Sequence, residues 1–364
     1  MGLDVTPLFD HPTGVTRFVT GLLSGLRSHE SVRVGGWIVS VRPIDKSLPA
    51  AADAPEFTAR IHTPARLVHR AWGNGSHFGS RRLGRFDVVH GTNFTAPPGP
   101  RSVISLHDLT LFDSTGRGAR RSGADVGRAE VVLRAVAEGS HLVVPTEYVR
   151  RSAIETLHAD PGRVTSVTYG LTPIVSSAPG AGRKRVDLDR YVLALGTVSH
   201  RKNLVQLIRA MDHLPGDVGL VVAGAVGDDE SAVREAISVA EQHRSVRRLT
   251  DVDDTTRADL LTDASLLAYP SLDEGFGFPP LEAMSVGVPV VAADAGSIPE
   301  VVGDAALLVD PSDPSSIAEA MLRAITPGGA AELVAKGYSA AARFDWAVTA
   351  SEMIDVYRRV ASQD

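Results

Sequence analysis

Short apolar segments alternate with helix-like segments along the whole chain, and this alternation is the pattern that most limits its possible folds. Each apolar segment has the length of a β-strand and is followed by polar breakers and then by apolar residues at helical spacing. Strands that are buried on both faces and connected through helices form parallel sheets. The sequence therefore predicts an α/β protein with helices covering both faces of each sheet.

The predicted strands fall into two sets on either side of a segment near the middle of the chain. Residues 176–186 in that segment are small, polar and rich in Pro and Gly, which is typical of a linker. Each set has the pattern of a Rossmann-like domain. The strands lie near 3–5, 32–39, 87–90, 102–106, 142–145 and 164–167 in the first set, and near 191–195, 219–223, 246–249, 266–268, 288–292 and 306–309 in the second.

These patterns predict an N-terminal domain over 1–175, a C-terminal domain over 187–345 and a last helix over 346–364 that packs back on the first domain. In doubly wound sheets, ligands bind beyond the carboxyl ends of the strands. Two such domains facing each other would place the site in the cleft between them. We therefore expect the chemistry to draw residues from both domains.

The two halves differ in charge. Residues 1–185 include 23 Lys and Arg against 15 Asp and Glu, whereas 186–364 include 14 against 28. A basic first domain favours an anionic partner, such as nucleic acid, acidic lipid or a phosphorylated acceptor.

The Arg-rich segments 60–70, 81–85 and 117–121 lack the interleaved aromatic residues of a nucleic-acid-binding surface, so no nucleic acid partner is expected. They form either a solvated face or a surface for an anionic membrane or acceptor. The segment 59–72 also contains apolar residues and Trp72, which predicts an interfacial segment with Trp72 as its anchor. The corresponding location is the inner face of the plasma membrane.

Composition excludes several kinds of site. The chain has no cysteine, which rules out disulfides, iron–sulfur clusters and thiolate zinc sites. No histidine spacing matches a metal-binding motif, so we expect no metal and no other cofactor. The sequence shows no signal-like segment and no apolar stretch of membrane-spanning length, which favours a cytoplasmic protein.

A first candidate binding loop follows the predicted strand that ends at Leu195. It contains Gly196 and the adjacent cations Arg201 and Lys202, and it leads into a helix. Arg offers a planar fork for two phosphate oxygens, Lys offers a mobile point charge, and the helix start adds backbone amides. The alternative is a pair of solvated charges beside a helix start.

A second candidate loop places Glu274 and Glu282 eight residues apart, after another buried strand. Gly275 and Gly277 between them let backbone amides approach a ligand, and two prolines then begin a short helix. Both carboxylates would face one pocket and accept hydrogen bonds from sugar hydroxyls. The alternative is a capping Glu and a solvated Glu.

Together these loops resemble the retaining GT-B glycosyltransferases of family 4, whose second domain carries a Gly-x-x-Ser-x-Arg-Lys-Asn loop and a Glu-x7-Glu motif. The corresponding segments here are 196–203 and 274–282. The resemblance continues to Trp346 and covers nearly the whole second half. It implies a GT-B fold of two Rossmann-like domains facing a central cleft, with the nucleotide sugar on the C-terminal domain and the acceptor on the N-terminal one.

The first half resembles the same family more distantly. The loop from Asp10 to Arg17 contains Gly14, where many relatives carry two or three glycines. His107 and the residue after it match the strand-end His-Asp that the family places beside the donor sugar. Tyr169 stands before a Gly where the family usually has Asn.

The resemblance implies a division of roles. Arg201 and Lys202 neutralise the leaving diphosphate, while Glu274 and His107 bind and orient the sugar. Glu282 holds the ribose, and no nucleophile or base is assigned because the departing phosphate can accept the acceptor's proton. The catalytic set is thus His107, Arg201, Lys202 and Glu274, and the donor-binding set is Gly14, Gly196, Gly275, Phe276, Gly277, Phe278, Leu281 and Glu282.

The resulting hypothesis is a retaining, metal-independent hexosyltransferase acting from a nucleotide diphosphate sugar on the hydroxyl of a glycan or lipid-linked glycan. The His-Asp form of the first-domain motif resembles that of mannosyltransferases that use GDP-mannose, which favours this donor over UDP-glucose or UDP-N-acetylglucosamine. Asp251 and Asp253 match a metal-binding Asp-x-Asp, but their position before a helix favours capping. Two other functions stay open: a nucleotide-sugar 2-epimerase of similar fold, and a non-catalytic glycosyltransferase-like binding subunit.

Overall fold

A computed structural model describes residues 1–9, 13–29, 31–41, 58–112, 123–242 and 244–363. These residues divide into two compact units. The first comprises those up to 172 together with 344–363, and the second comprises 173–343. Asp10 and the Arg-rich segment 117–121 lie outside the described ranges.

The first unit begins with alternating strands and helices. Its strands are β1 (Gly2–Asp4), β2 (Gly35–Val39), β3 (Thr58–Ile61), β4 (Val89–Gly91), β5 (Ser102–Ser105), β6 (His141–Val144) and β7 (Val164–Ser166). Its helices up to residue 172 are α1 (Gly14–Arg27), α2 (Ala65–Gly73), α3 (Ser80–Leu83), α4 (Gly123–Ala137) and α5 (Glu147–Leu157).

The described strands of this unit form one seven-stranded parallel sheet in the order β3-β2-β1-β4-β5-β6-β7. The order reverses at β1, where Leu3 pairs with Gly36 on one side and with His90 on the other. Since all the strands are parallel, their carboxyl ends lie along one edge of the sheet. The loop with His107 leaves β5 at that edge, which is where doubly wound sheets bind ligands.

The second unit repeats the same architecture. Its strands are β8 (Tyr191–Leu195), β9 (Gly219–Ala223), β10 (Val246–Leu249), β11 (Leu266–Tyr269), β12 (Val290–Ala293) and β13 (Leu307–Val309). Its helices are α6 (Ala181–Val186), α7 (Leu204–Ala210), α8 (Glu230–Ala240), α9 (Asp254–Asp263), α10 (Phe278–Ser285), α11 (Ile298–Val302), α12 (Pro314–Ala324) and α13 (Pro327–Ala341).

Here the described strands form a six-stranded parallel sheet in the order β10-β9-β8-β11-β12-β13, which reverses between β8 and β11. The main core packs strand residues such as Val222 against Leu207 of α7, Val233 of α8 and Ile317 of α12. Both sheets confirm the predicted α/β class. The reversal places the loops that follow β8 and β11 side by side, and these are the two candidate binding loops.

The last helix, α14 (Trp346–Ala361), belongs to the first unit and packs on α1. The two helices approach closely because α1 has glycine at the contact. A Cβ at Gly21 would overlap the Trp346 ring, and one at Gly25 would overlap the Trp346 carbonyl. Trp346 also lies against Gly170, so this indole joins the first helix, the last helix and the segment after β7.

The segment 176–186, which its composition predicts to be a linker, lies in the second unit and packs on α9. Asp259 is fully buried and accepts hydrogen bonds from the Ser176 hydroxyl at 2.8 Å and the Ser177 amide at 2.7 Å. Asp263, one turn later, accepts the Gly182 amide at 2.7 Å. These carboxylates fix the polar segment in place, and its end forms α6.

The prediction that Trp72 anchors an interfacial segment is wrong. Residues 58–61 form the edge strand β3, and Trp72 on α2 is 0% exposed. The Trp72 ring packs edge-on to Trp37 at 6.2 Å, and its Nε1 donates to the Phe78 carbonyl at 2.9 Å. Val68 and Trp72, four residues apart, form the buried face of α2. Within the described ranges, none of the helices has the length and apolar character that crossing a membrane requires.

Candidate active site

The loop after β8 brings two cations to the carboxyl edge of the second sheet. Gly196 begins it with a φ of 135°, and a Cβ there would lie only 3.0 Å from Lys202 Cε. Glycine therefore leaves room for the Lys202 side chain. Asn203 closes the loop, and its Nδ2 donates to the carbonyls of Pro270 at 3.2 Å and Pro311 at 2.6 Å. These bonds hold the loop against the ends of β11 and β13.

Glu274 lies between the two cations. Its Oε1 accepts a hydrogen bond from Lys202 Nζ at 2.6 Å, and its Oε2 pairs with Arg201 Nη1. Arg201 Nη1 also donates to the Asp273 carbonyl at 2.6 Å. The Glu274 and Lys202 side chains are nearly buried, whereas the Arg201 side chain is 29% exposed and reaches solvent. The cluster keeps one net positive charge.

The pKa of Glu274 reflects this arrangement. Burial alone would raise it, but the ion pairs with Lys202 and Arg201 outweigh burial and lower the pKa to about 2. The carboxylate is therefore ionised at any ordinary pH. Arg201 keeps its charge over the same range, so its ion pair with Glu274 is present at any ordinary pH.

Tyr269, the last residue of β11, supports Lys202. Its hydroxyl lies 2.7 Å from Lys202 Nζ, and the ammonium stands 4.3 Å from the centre of the ring. Burial and the nearby Glu274 carboxylate raise the pKa of the phenol well above its ordinary value. The predicted strand stops one residue before Tyr269, so its contribution is missed by sequence reasoning.

The remaining glycine-rich loop leads into α10. Gly277, with a φ of 93°, precedes the first helical residue, and the Phe276 and Phe278 rings meet edge to face at 5.0 Å. Phe276 is buried, as is Gly275. Leu281 is in the core. Pro279 and Pro280 before it have no amide hydrogen, so Gly277 and Phe278 carry the amide hydrogens at the start of α10.

Glu282 lies on α10 and is 2% exposed. Its carboxylate pairs with the guanidinium of Arg257 on α9, a residue that the sequence analysis does not single out. Arg257 lies one turn after Asp253, which caps α9. The sequence pattern of this helix indicates only its cap, so no local motif identifies Arg257 as a partner of Glu282. The two carboxylates therefore have different partners: Glu274 pairs with Arg201 and Lys202, and Glu282 pairs with Arg257.

In the first unit, His107 follows β5. Its Nε2 lies 2.7 Å from the Thr92 carbonyl oxygen, and its Nδ1 lies 2.9 Å from the Tyr169 hydroxyl. Asp108 forms a turn by accepting the Thr110 amide at 3.0 Å and the Thr110 hydroxyl at 2.6 Å. The predicted sugar-binding histidine thus has both ring nitrogens bonded within its own unit.

Gly14 is the exposed first residue of α1. Thr13 caps the helix in a reciprocal arrangement with Thr16, whose hydroxyl accepts the Thr13 amide at 3.1 Å. A side chain is absent at the helix start, where backbone amides are unpaired in α-helices generally. The role of Gly14 in donor binding stays a prediction.

The alternative metal-binding motif has a structural role at one of its two positions. Asp253 accepts the Thr256 amide at 2.7 Å and caps α9, in agreement with the capping interpretation. Across the part of the chain that the structure describes, no three His, Asp or Glu side chains are grouped so that they could hold a metal ion.

Comparison with known proteins decides the family. The sequence profile described as "Glycosyl transferases group 1" matches residues 183–339. Over 352 residues the chain is 30% identical to a D-inositol 3-phosphate glycosyltransferase of Xylanimonas cellulosilytica, covering 90% of this chain and 84% of that protein. The chain belongs to the group 1 glycosyl transferases.

Other relatives agree with this assignment. This glycosyltransferase is 29% identical over 284 residues to O-antigen chain mannosyltransferase B of Escherichia coli, with 74% of each chain covered. Its structure is similar to that of HepE from Anabaena in complex with UDP and glucose. That match has a TM-score of 0.74 and 18% identity, and it covers 98% of this chain and 99% of the other. The match confirms the predicted GT-B fold class.

Acid should weaken the fold of this glycosyltransferase through Glu274. The folded pKa of about 2 lies below the ordinary value of 4.5, so the ion pairs stabilise the protein above about pH 4.5 and are lost as pH falls through about 2. We expect the melting temperature to fall more steeply between about pH 5 and 3 in the wild type than in Glu274→Gln.

This comparison removes the contribution of Asp259, whose pKa is also about 2 and which is present in both proteins. Melting temperatures followed by circular dichroism at matched ionic strength provide the measurement. Parallel pH dependences in the two proteins would mean that the Glu274 ion pairs do not stabilise the fold.

Proposed function

We propose that this glycosyltransferase transfers a hexose, mannose in particular, from a nucleotide diphosphate sugar to an acceptor hydroxyl with retention of configuration. The observation that carries the proposal is the cluster at the carboxyl edge of the second sheet, in which the buried Glu274 carboxylate pairs with Arg201 and Lys202. A site with net positive charge suits a leaving diphosphate, which gains negative charge as the glycosidic bond breaks.

Each member of the cluster has a distinct task in this proposal. Arg201 and Lys202 pair with the diphosphate oxygens, the first through its planar fork and the second as a point charge. Glu274 holds both cations in position and accepts a hydrogen bond from a sugar hydroxyl. Glu282 binds the ribose after exchanging its contact with Arg257 for hydroxyl groups. Amides at the start of α10 add to the neutralisation of the diphosphate.

The choice of donor rests on the relatives and on the His107 motif. One relative is named a mannosyltransferase, and a structural neighbour was crystallised with UDP and glucose, so a nucleotide sugar is the donor class that fits. The His-Asp form of the motif favours GDP-mannose. In a retaining transfer the departing phosphate accepts the acceptor's proton, so the proposal needs no protein base.

The same cluster supports the proposal that the reaction is metal-independent. Where Mg²⁺ or Mn²⁺ would neutralise a diphosphate, this site offers a guanidinium, an ammonium and a helix start. The proposal therefore assigns no divalent ion to the reaction.

Hydrolysis of GDP-mannose without acceptor, in excess EDTA, tests the proposal. We expect slow release of mannose and GDP, and with an acceptor alcohol the glycoside formed should have the α-configuration by proton NMR, because the configuration at the anomeric carbon is retained. The same panel includes UDP-glucose and UDP-N-acetylglucosamine as competing donors, and boiled protein serves as the control.

The outcomes of this assay separate the alternatives. An epimerised sugar nucleotide, or a C2-epimerised sugar released with UDP, would indicate the 2-epimerase. A melting temperature raised by nucleotide sugars without any turnover of donor or acceptor would indicate a binding subunit. Complete loss of activity in EDTA, restored by Mn²⁺, would contradict metal independence.

For the acceptor we propose a lipid-linked glycan presented at an anionic membrane, with the protein peripheral to the inner face of the plasma membrane. The supporting observations lie on α2, on α3 and on the segment between them in the first unit. Leu67 is 51% exposed between the exposed Arg66 and Arg70, and Phe78 is 47% exposed near Arg82. In this proposal Leu67 and Phe78, and not the buried Trp72, are the apolar residues that contact the membrane. Phe78 also lines a cavity of about 490 Å³ together with Ile61, His62, Thr63, His77, Gly79, Ser80, Arg81 and Arg82.

Liposome co-sedimentation tests this surface. Each basic residue near an anionic membrane contributes about 1 kcal/mol, so Arg81→Ala/Arg82→Ala should weaken binding roughly thirtyfold. Arg209→Ala/Arg323→Ala removes the same charge from exposed positions of the second unit and serves as the matched control. Binding should increase with the anionic lipid fraction and decrease with salt. Equal pelleting with neutral and anionic liposomes would contradict the proposal.

A further inference from the structure

The hydrogen bonds of His107 fix the position of its proton. The Thr92 carbonyl can only accept, so Nε2 of the neutral imidazole must carry the hydrogen and donate it across 2.7 Å. Nδ1 is then an acceptor, and the Tyr169 hydroxyl 2.9 Å away is its donor. The ring is held at both ends, by a backbone carbonyl on one side and by a phenol on the other.

We propose that Tyr169 is a positioning residue for His107, one that fixes the orientation and the Nε2–H tautomer of the imidazole for sugar transfer. The inference rests on the proposed function, because that function places His107 beside the donor sugar. Tyr169 is also the position at which this sequence departs from the Asn usual in its family.

The phenol can hold the imidazole because its own position is fixed by the core. Tyr169 is 2% exposed, and its ring lies 4.5 Å from that of Phe18 on α1. It is stacked on Trp346 of α14, with ring centres 6.4 Å apart and planes at 21°. The hydroxyl is therefore presented to His107 by a rigid aromatic group. Phe18 and Phe94 complete the enclosure of the imidazole at 5.3 Å and 5.8 Å.

Both partners stay neutral near physiological pH. Burial, followed by the Asp108 charge, raises the pKa of the Tyr169 phenol well above its ordinary value. Burial lowers the pKa of His107, although the Thr92 carbonyl and Asp108 act in the opposite direction. His90 is a further titratable neighbour, and burial lowers its pKa to about 3. The phenol is thus a constant donor to the imidazole.

This arrangement limits what His107 can do. With both ring nitrogens bonded within the unit, the imidazole offers a fixed surface to a ligand and has no nitrogen left for proton transfer. The rate of sugar transfer would then depend on the position of the His107 ring and not on its protonation. A shift of the ring by a fraction of an ångström would be expected to slow a reaction that depends on orientation.

The same unit contains a matched control. Tyr357 on α14 is a second buried tyrosine, and its hydroxyl lies 2.8 Å from Nδ1 of His90, whose Nε2 lies 2.8 Å from the Ser105 hydroxyl. Tyr169→Phe and Tyr357→Phe therefore each remove one buried phenol hydroxyl from a histidine. Each change leaves one buried imidazole nitrogen without its hydrogen-bond partner, so both should destabilise the protein to a similar degree.

The test combines kinetics with a direct view of the imidazole. In protein labelled with ¹⁵N-histidine, long-range ¹H–¹⁵N correlation near pH 7 should show wild-type His107 as a neutral ring with its proton on Nε2. Tyr169→Phe should broaden these signals or add a second tautomer. The variant should also lower kcat about ten- to a hundredfold, with a smaller change in the donor KM. Tyr357→Phe should change neither kcat nor the His107 signals.

Several results would overturn the inference. A wild-type His107 protonated on Nδ1 would do so, since Tyr169 would then be an acceptor. Equal losses of melting temperature in the two variants, with His107 signals and kcat unchanged in Tyr169→Phe, would reduce Tyr169 to a packing residue. An equal fall in kcat for both variants would mean a general structural effect. Absence of any sugar transfer by the wild type would contradict the proposed function, while the spectra would still test the pairing.

Discussion

The ion pairs of Glu274 organise the carboxyl edge of the sheet in the second unit. The nearly buried Glu274 carboxylate lies between the Lys202 ammonium and the Arg201 guanidinium. Glu274 fixes Lys202 and Arg201, and they in turn tie the loop after β8 to the loop after β11. Burying a carboxylate is costly unless it is paired, so the three groups depend on one another. Once formed, the cluster is a rigid site of net positive charge. Such a site stabilises a developing anion without having to reorganise.

In the first unit the candidate residue is fixed by neutral hydrogen bonds and ring contacts, whereas ion pairs fix the cluster of the second unit. Its candidate residue His107 is kept uncharged, bonded to the Thr92 carbonyl and the Tyr169 phenol, and enclosed by aromatic rings. The last helix contributes to this order because Trp346 stacks on Tyr169 and packs against α1. In the function we propose, fixed charges manage the leaving group in one unit and a fixed neutral ring orients the sugar in the other.

Local motifs made much of this predictable. The strand-end loops with Arg201, Lys202 and Glu274 are continuous in sequence, so both the loops and their place at the sheet edge follow from the strand–helix alternation. The sequence shows Tyr169 only as a departure from the Asn usual at this position. It does not indicate that His107 is the hydrogen-bond partner of Tyr169. The ion pair of Arg257 with Glu282 is not predictable from a local motif, because the two residues lie on different helices. Trp72 was misplaced because an apolar helical stripe looks the same whether it faces a core or a membrane.

The central claim is that Arg201 and Lys202 neutralise the leaving diphosphate, and turnover at saturating donor tests it most directly. Arg201→Ala and Lys202→Ala should each lower kcat by about a hundredfold or more, because each removes a charge-assisted contact to the departing group. Lys336→Ala is the control, since Lys336 pairs with Asp304 and Glu332 on the exposed side of α13. Circular dichroism establishes that each variant is folded at the assay temperature. A folded Arg201→Ala or Lys202→Ala protein with near-wild-type kcat would contradict the account.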